Sequence, residues 1–246
     1  MVTTQKYTMI KRFLLAYPKV REVGASFFLC LPLPFSAFTY RFMRQYVFKD
    51  NNTRMKTFEV AFATIAASPG SHDYLEFGVA RGTSLISACQ ISARAGLSPR
   101  LFAFDSFEGL PSTEGLYIKG DYAYPQQVFT KFVSKAGVPL QRVHIVPGFY
   151  DKSLTPELYN KLGLTRGMHL VHMDSDLYAS TKTALEWLTP LLDSGSVIIF
   201  DDWLGFADKP DPENYGEQRA FREWVDHANW KELHVEANWN IAFVRI

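Results

Sequence analysis

Acidic residues close two apolar runs near the C-terminal half of the chain, as His172-Met173-Asp174-Ser175-Asp176 and Phe200-Asp201-Asp202-Trp203. If those runs are neighbouring parallel strands, both ends lie on one sheet edge, and Asp174, Asp201 and Asp202 converge although they are distant in sequence. Three carboxylates brought together repel and raise one another's pKa unless a cation neutralises them. Ligation by oxygen alone points to a hard cation, Mg²⁺ first, with Mn²⁺ or Ca²⁺ behind. Capping offers the plainer role for each aspartate, and Asp176 reads as the N-cap of a helix over Tyr178–Leu192. His172 shares the side of Asp174 under strand alternation, but a single strand histidine reads as a structural residue.

A second set of residues surrounds a glycine turn. Glu76-Phe77-Gly78-Val79-Ala80-Arg81-Gly82-Thr83-Ser84 follows an apolar run and opens a helical pattern, a place where backbone N–H groups and the helix dipole face a ligand. An acid at Glu76 suits a cofactor bearing an ammonium and a sulfonium better than a phosphate. Asp105-Ser106 ends the next apolar run, where a carboxylate can accept both ribose hydroxyl protons. Pro147-Gly148-Phe149-Tyr150 offers a flexible backbone and an aromatic face for adenine, and equally reads as a surface turn. Glu76, Phe77, Gly78, Ala80, Gly82, Thr83, Ser84, Asp105, Ser106, Gly148 and Phe149 are thus the candidate contacts of S-adenosyl-L-methionine. Methyl transfer from a sulfonium is an in-line displacement, so a cation that orients a hydroxyl acceptor and lowers its pKa would complete the chemistry. Asp174 then has a catalytic role as well as a metal-binding one.

These residues need a frame that brings them to one edge. From Asp73 onward, apolar runs at Tyr74–Val79, Arg100–Ser106, Val143–Val146, His169–Asp174 and Ser196–Asp201 alternate with helical patterns at Thr83–Arg94, Gln126–Ala136, Tyr178–Leu192 and Glu217–Ala228. Such alternation predicts an α/β, Rossmann-like fold with a mostly parallel sheet and helices on both faces. Lys231–Ala237 and Ile241–Ile246 predict a closing antiparallel hairpin, which completes seven strands. Residues 1–70 read as an N-terminal helical extension, with Asp50–Thr53 capping a helix over Arg54–Ala67 and Ser68-Pro69-Gly70 breaking it. The extension is expected to cover the site or to contact another subunit in a homo-oligomer, and residues 71–246 form the cofactor-binding domain.

The 26 Lys+Arg and 25 Asp+Glu give a formal charge of +1, which favours a small-molecule acceptor over nucleic acid. Cys30 and Cys89 are too few for a disulfide framework, so a reducing cytoplasm is expected. Pro32 and Pro34 interrupt the apolar stretch Ala25–Phe42, which argues for a packing arm and against stable membrane insertion.

Ordered blocks carry a resemblance across most of Leu75–Phe221: LEFGVARGTS at Leu75–Ser84, FDSFEGLP at Phe104–Pro111, VPGFYDKSL at Val146–Leu154, MDSDLYASTKTAL at Met173–Leu185, SGSVIIFDDW at Ser194–Trp203 and YGEQRAF at Tyr215–Phe221. In these the chain resembles the macrocin-type O-methyltransferases, class I S-adenosylmethionine-dependent enzymes that modify sugars of macrolide antibiotics and related natural products. The resemblance implies S-adenosylmethionine around Glu76–Ser84 and Asp105, Mg²⁺ on Asp174, Asp201 and Asp202, and a hydroxyl acceptor on a sugar or similar polyol. One feature departs from the pattern. Relatives that act on macrolide sugars carry a histidine base in the connection after the ribose-binding strand, and Glu108–Gln141 has none. Lys119 and Asp121, with Tyr122 and Tyr124, are the polar candidates that remain there. The same departure motivates a second expectation, a catalytically silent cofactor-binding protein that serves a partner.

Overall fold

Apolar residues dominate strands whose two faces are covered, and LFAFD, LVHM and VIIF show this with Asp105 and His172 as the polar exceptions. In the computed structural model, which describes residues 54–67, 72–207, 209–226, 229–233 and 240–246, seven strands form one sheet. They are β1 (Tyr74–Phe77), β2 (Leu101–Asp105), β3 (Val143–Pro147), β4 (Leu170–Met173), β5 (Val197–Phe200), β6 (Trp230–Leu233) and β7 (Ile241–Arg245), in the order β3-β2-β1-β4-β5-β7-β6. The first five run parallel, and β7 pairs antiparallel with both β5 and β6. This is the class I methyltransferase arrangement expected from the sequence, closing hairpin included. The expected turn at Asn238-Trp239 and the apolar stretch 25–42 lie outside the described residues, as do the 50–53 cap and the 68–70 break. Among the described residues, no helix is long and apolar enough to cross a membrane.

The helices are α1 (residues 54–66), α2 (Thr83–Arg94), α3 (Gln126–Lys135), α4 (Tyr150–Ser153), α5 (Glu157–Leu162), α6 (Tyr178–Leu188) and α7 (Gly216–Trp224). α6 stops four residues before its expected end, because Pro190 supplies no N–H to continue the helical hydrogen bonds. The short helices α4 and α5 occupy a connection to which the sequence assigned no element.

Strand alternation divides the core into two layers. Leu75, Phe77, Val171, Met173, Ile198 and Phe200 pack with α6 and α7 on one face. Tyr74, Leu170, Val197 and Ile199 pack with α1 and α2 on the other. Glu76 and His172 sit on this second face, side by side, since β1 and β4 pair Glu76 with His172 and Phe77 with Met173. α1 presents Phe58, Ala61, Phe62 and Ile65 to that layer, a stripe with helical spacing. The described part of residues 1–70 therefore joins the core of the 71–246 unit, and Thr57 Oγ1 donates to Asn240 Oδ1 at 2.7 Å to tie α1 to the start of β7.

Phe58 is fully buried with its ring 6.2 Å from that of Tyr74 and 5.0 Å from that of His172. Phe58→Ala is expected to lower the unfolding free energy by about 3–5 kcal/mol. Val60→Ala, on the outer side of α1, should change it by less than about 1 kcal/mol. Urea unfolding of the two variants checks this, and equal effects would mean that α1 is not part of the core.

Candidate active site

The glycine turn leaves the sheet at Gly78, whose φ is +89°, and a Cβ there would lie 1.9 Å from the carbonyl oxygen of Asp174. Only glycine fits, both for its backbone angle and for that approach. The close approach also sets the turn against the acidic end of β4. Gly82, at φ +87°, then opens α2, with no acid in its first turn and no side chain capping its amides.

Glu76 is completely buried, and the fold turns its carboxylate inward. Tyr74 Oη donates to Oε2 at 2.6 Å, and Ser84 Oγ donates to Oε1 across a very short contact, so Glu76 pins β1 to the first turn of α2. Asp105, at the end of β2, accepts the amides of Val79 at 2.8 Å and Ala80 at 3.0 Å on Oδ2 and that of Phe107 at 2.7 Å on Oδ1. Burial raises its pKa against the lowering effect of these three amides. Ser106 shapes the following turn, its hydroxyl donating to the Gly109 carbonyl and accepting from the Glu108 amide. Gly148 donates its amide to Asp105 O at 2.9 Å, while Phe149 stands half-buried at the start of α4. The candidate contacts from β1, β2 and β3 thus meet along one edge. Phe77 needs correction: its ring is fully buried and stacks on Phe104 at 4.5 Å, so its side chain belongs to the core.

Asp201 and Asp202 each converge on Asp174 at the shared strand edge, in two separate sets of ligand atoms. Carboxylate oxygens of Asp174, Asp176 and Asp202 lie within 4.8 Å of one another, and so do ligand atoms of His172, Asp174 and Asp201. Burial, reinforced by Asp201, raises the Asp174 pKa to about 8. Burial and then Asp202 push Asp176 well above the carboxylate range. Glu217, nearly inaccessible on α7, is likewise raised by burial and Asp202, accepts the Asp202 amide on Oε2 at 3.0 Å and leaves Oε1 without a hydrogen-bond partner.

Opposite charge enters from two sides. His172 is completely buried, with Nδ1 3.8 Å from Glu76 Oε1 and Nε2 3.5 Å from Asp201 Oδ1. Although burial lowers its pKa, the two carboxylates win and lift it to about 10. Arg54, from the first turn of α1, donates from Nη2 directly to Asp201 Oδ2.

Two expectations change here. Asp176 does not cap α6: the N-cap residue is Leu177, and the Tyr178 amide donates to Glu114 Oε2 at 2.8 Å. Asp176 instead adopts φ +60° and joins the acidic cluster. Glu114 also accepts the Gly216 amide on Oε1 at 2.9 Å, clamping the connection after β2 onto the N-termini of α6 and α7. Lys119 and Asp121 do not reach the cluster. Lys119 is exposed and bonds through its amide to Thr113 Oγ1, and Asp121 Oδ2 accepts the Ile118 amide at 3.2 Å, so both serve a surface turn. Tyr117 of the same connection is buried instead, with its hydroxyl held protonated by burial and by nearby Asp202. It packs against Leu177 and Phe206, partners distant in sequence, so no local signal separated it from its exposed neighbours.

The pKa shifts fix a pH dependence for the protein held in chelator. Between pH 6.5, where His172 titrates when unfolded, and pH 8, the folded state keeps protons on both His172 and Asp174 that the unfolded chain has released. Stability therefore falls as pH rises through this window. Denaturant titrations should show that fall and a shallower slope in His172→Gln; a flat profile in the parent protein would contradict the arrangement.

Comparison with known proteins agrees with this architecture. A model of the family described as Macrocin-O-methyltransferase (TylF) matches residues 50–231. An 8-demethyl-8-(2,3-dimethoxy-alpha-L-rhamnosyl)-tetracenomycin-C 4'-O-methyltransferase of Streptomyces olivaceus is 28% identical over 162 residues, 61% of this chain and 60% of that protein. The match thus spans less than two thirds of that relative's length. The solved structure of CalS11, a calicheamicin methyltransferase, superposes with a TM-score of 0.66 at 20% identity, covering 94% of this chain and 91% of the other. The O-methyltransferase NovP does so with a TM-score of 0.59 at 21% identity, covering 78% and 79%. The two structures share the fold, and the family match takes in the glycine turn, Asp105 and all the clustered acids. The chain belongs to the macrocin O-methyltransferase family.

Proposed function

We propose that this protein transfers the methyl group of S-adenosylmethionine to a hydroxyl of a sugar or polyol-like natural-product acceptor, with a divalent cation, Mg²⁺ first, held by Asp174, Asp201 and Asp202. The observation that carries the reading is the juxtaposition of Gly78 with Asp174, which sets the glycine turn beside the acidic cluster. An in-line displacement needs its donor and acceptor sites at this kind of separation.

The donor set fits a hard cation. It is dominated by carboxylate oxygens, Asp174 is shared by two sets whose ligand atoms lie within 4.8 Å of one another, one with His172 and Asp201 and one with Asp176 and Asp202, and burial holds Asp174 and Asp176 at raised pKa. When bound, S-adenosylmethionine supplies an electrophilic methyl on a sulfonium, and the cation orients the acceptor oxygen and lowers its pKa. The rest belongs to the chain's own residues. Glu76, fixed by Tyr74 and Ser84, holds the turn so that Gly78, Ala80, Gly82 and Thr83 line one side of the cofactor site. Asp105 fixes the amides of Val79 and Ala80 and keeps further lone pairs for ribose hydroxyls. Gly148 and Phe149 stand at the adenine end. Asp174 is the carboxylate we assign to take the acceptor's hydroxyl proton, because Lys119 and Asp121 serve the surface turn. Tyr117, protonated, is a donor and not a base. The sugar-methylating relative supports an acceptor of this class. A homo-oligomer and a cytoplasmic setting belong to the same reading, on the strength of the aromatic N-terminal segment and the two cysteines.

Calorimetry with S-adenosylmethionine and methyl-transfer assays on deoxysugar glycosides and nucleotide-linked deoxysugars test this. Asp201→Asn is expected to slow transfer by about 100-fold or more while S-adenosylmethionine affinity stays within about threefold. No binding of S-adenosylmethionine would overturn the proposal, and unchanged turnover in Asp201→Asn would remove the cation from it.

A further inference from the structure

The chain carries a cation of its own at the acidic cluster. Arg54 reaches Asp201 from a helix whose position is fixed independently: Thr57, Phe58, Ala61, Phe62 and Ile65 of α1 are all buried, and Thr57 bonds Asn240. The contact joins residues 147 apart in sequence and puts a guanidinium directly on Oδ2 of a side chain that is only 7% exposed. Asp201 Oδ1 faces His172 Nε2 at 3.5 Å. Both oxygens of Asp201 are therefore turned toward cationic groups supplied by the chain.

A divalent cation on Oδ2 of Asp201 has to take that oxygen from Arg54, and one on Oδ1 has to sit beside both His172 and the guanidinium. His172 cannot yield: it is fully buried, it lies within β4, and Phe58 covers its ring at 5.0 Å. Arg54 can, since its side chain is 28% exposed and sits on a long stem in the first turn of its helix. Like charges at one carboxylate also repel, so the guanidinium disfavours the incoming ion as long as it remains.

We propose that Arg54 is a tethered rival of the metal: it neutralises Asp201 when no divalent cation is bound and moves off as one binds, so that metal loading and the start of α1 are coupled. Arg54 is then a positioning residue that sets metal affinity through Asp201. The idea rests on the metal site proposed above, and it makes α1 more than a cover for the sheet. Its purpose would be to keep buried acids compensated in the metal-free protein at the cost of a weaker metal site.

The test is Mn²⁺ binding to the full chain, read by the loss of the free-ion electron paramagnetic resonance signal. Arg54→Gln is expected to bind Mn²⁺ about tenfold more tightly than the parent, within the range typical of coupling between competing ligands. Arg54→Lys, which retains the charge, should stay close to the parent affinity. Equal or weaker binding in Arg54→Gln, or Arg54→Lys as tight as Arg54→Gln, overturns the rivalry while leaving the metal site standing. If neither the parent nor Arg54→Gln binds Mn²⁺, the metal site itself is wrong and the proposal falls with it.

Discussion

Carboxylates buried side by side must find protons, donors or cations, because isolated charge in a protein interior is far costlier than any single packing contact is favourable. At the C-terminal edge of β1, β4 and β5 this protein gathers Glu76, Asp174, Asp176, Asp201, Asp202 and, from α7, Glu217. Only some of them are compensated by the chain itself. Glu76 receives two hydroxyls, Asp202 contributes its amide to Glu217, and His172 and Arg54 bring positive charge to Asp201. The raised pKa values of Asp174 and Asp176 come first from burial and then from the neighbouring acids Asp201 and Asp202, which these partners leave uncancelled.

The surrounding structure can be read as the means of holding that edge. The parallel register sets Glu76 beside His172, and Gly78 allows β1 to turn away against Asp174 without a side chain between them. Asp105 reaches back from β2 to hold the amides that follow. Glu114 fastens the connection after β2 to the amides that begin α6 and α7, the helices that follow the two acidic strand ends. α1 closes the face from above, with Phe58 on His172 and Arg54 on Asp201.

What was legible in the sequence followed from local chemistry. Apolar runs of strand length, the glycines at 78 and 82 and acids at strand ends were enough for the mostly parallel sheet and for bringing Asp201 and Asp202 each to Asp174, because parallel strands share an edge. What escaped depended on partners far along the chain. His172 read as an ordinary strand histidine until β1 and α1 were in place to set Glu76 and Phe58 around it. Asp176 had the sequence position of a helix cap, but Glu114, 64 residues away from Tyr178, took that bond. Lys119 and Asp121 had suitable chemistry but serve a surface turn, whereas Tyr117, two residues from Lys119, faces inward. No periodicity announces that Arg54 will meet a carboxylate 147 residues later.

The central claim is that this acidic edge is built around a cation. Crystals grown with Mn²⁺ and measured for its anomalous scattering address it directly. The account predicts one strong peak bounded by carboxylate oxygens of Asp174, Asp201 and Asp202 at about 2.0–2.3 Å, with Arg54 displaced from Asp201. An empty edge, or a peak bound elsewhere while Arg54 stays on Asp201, would contradict it.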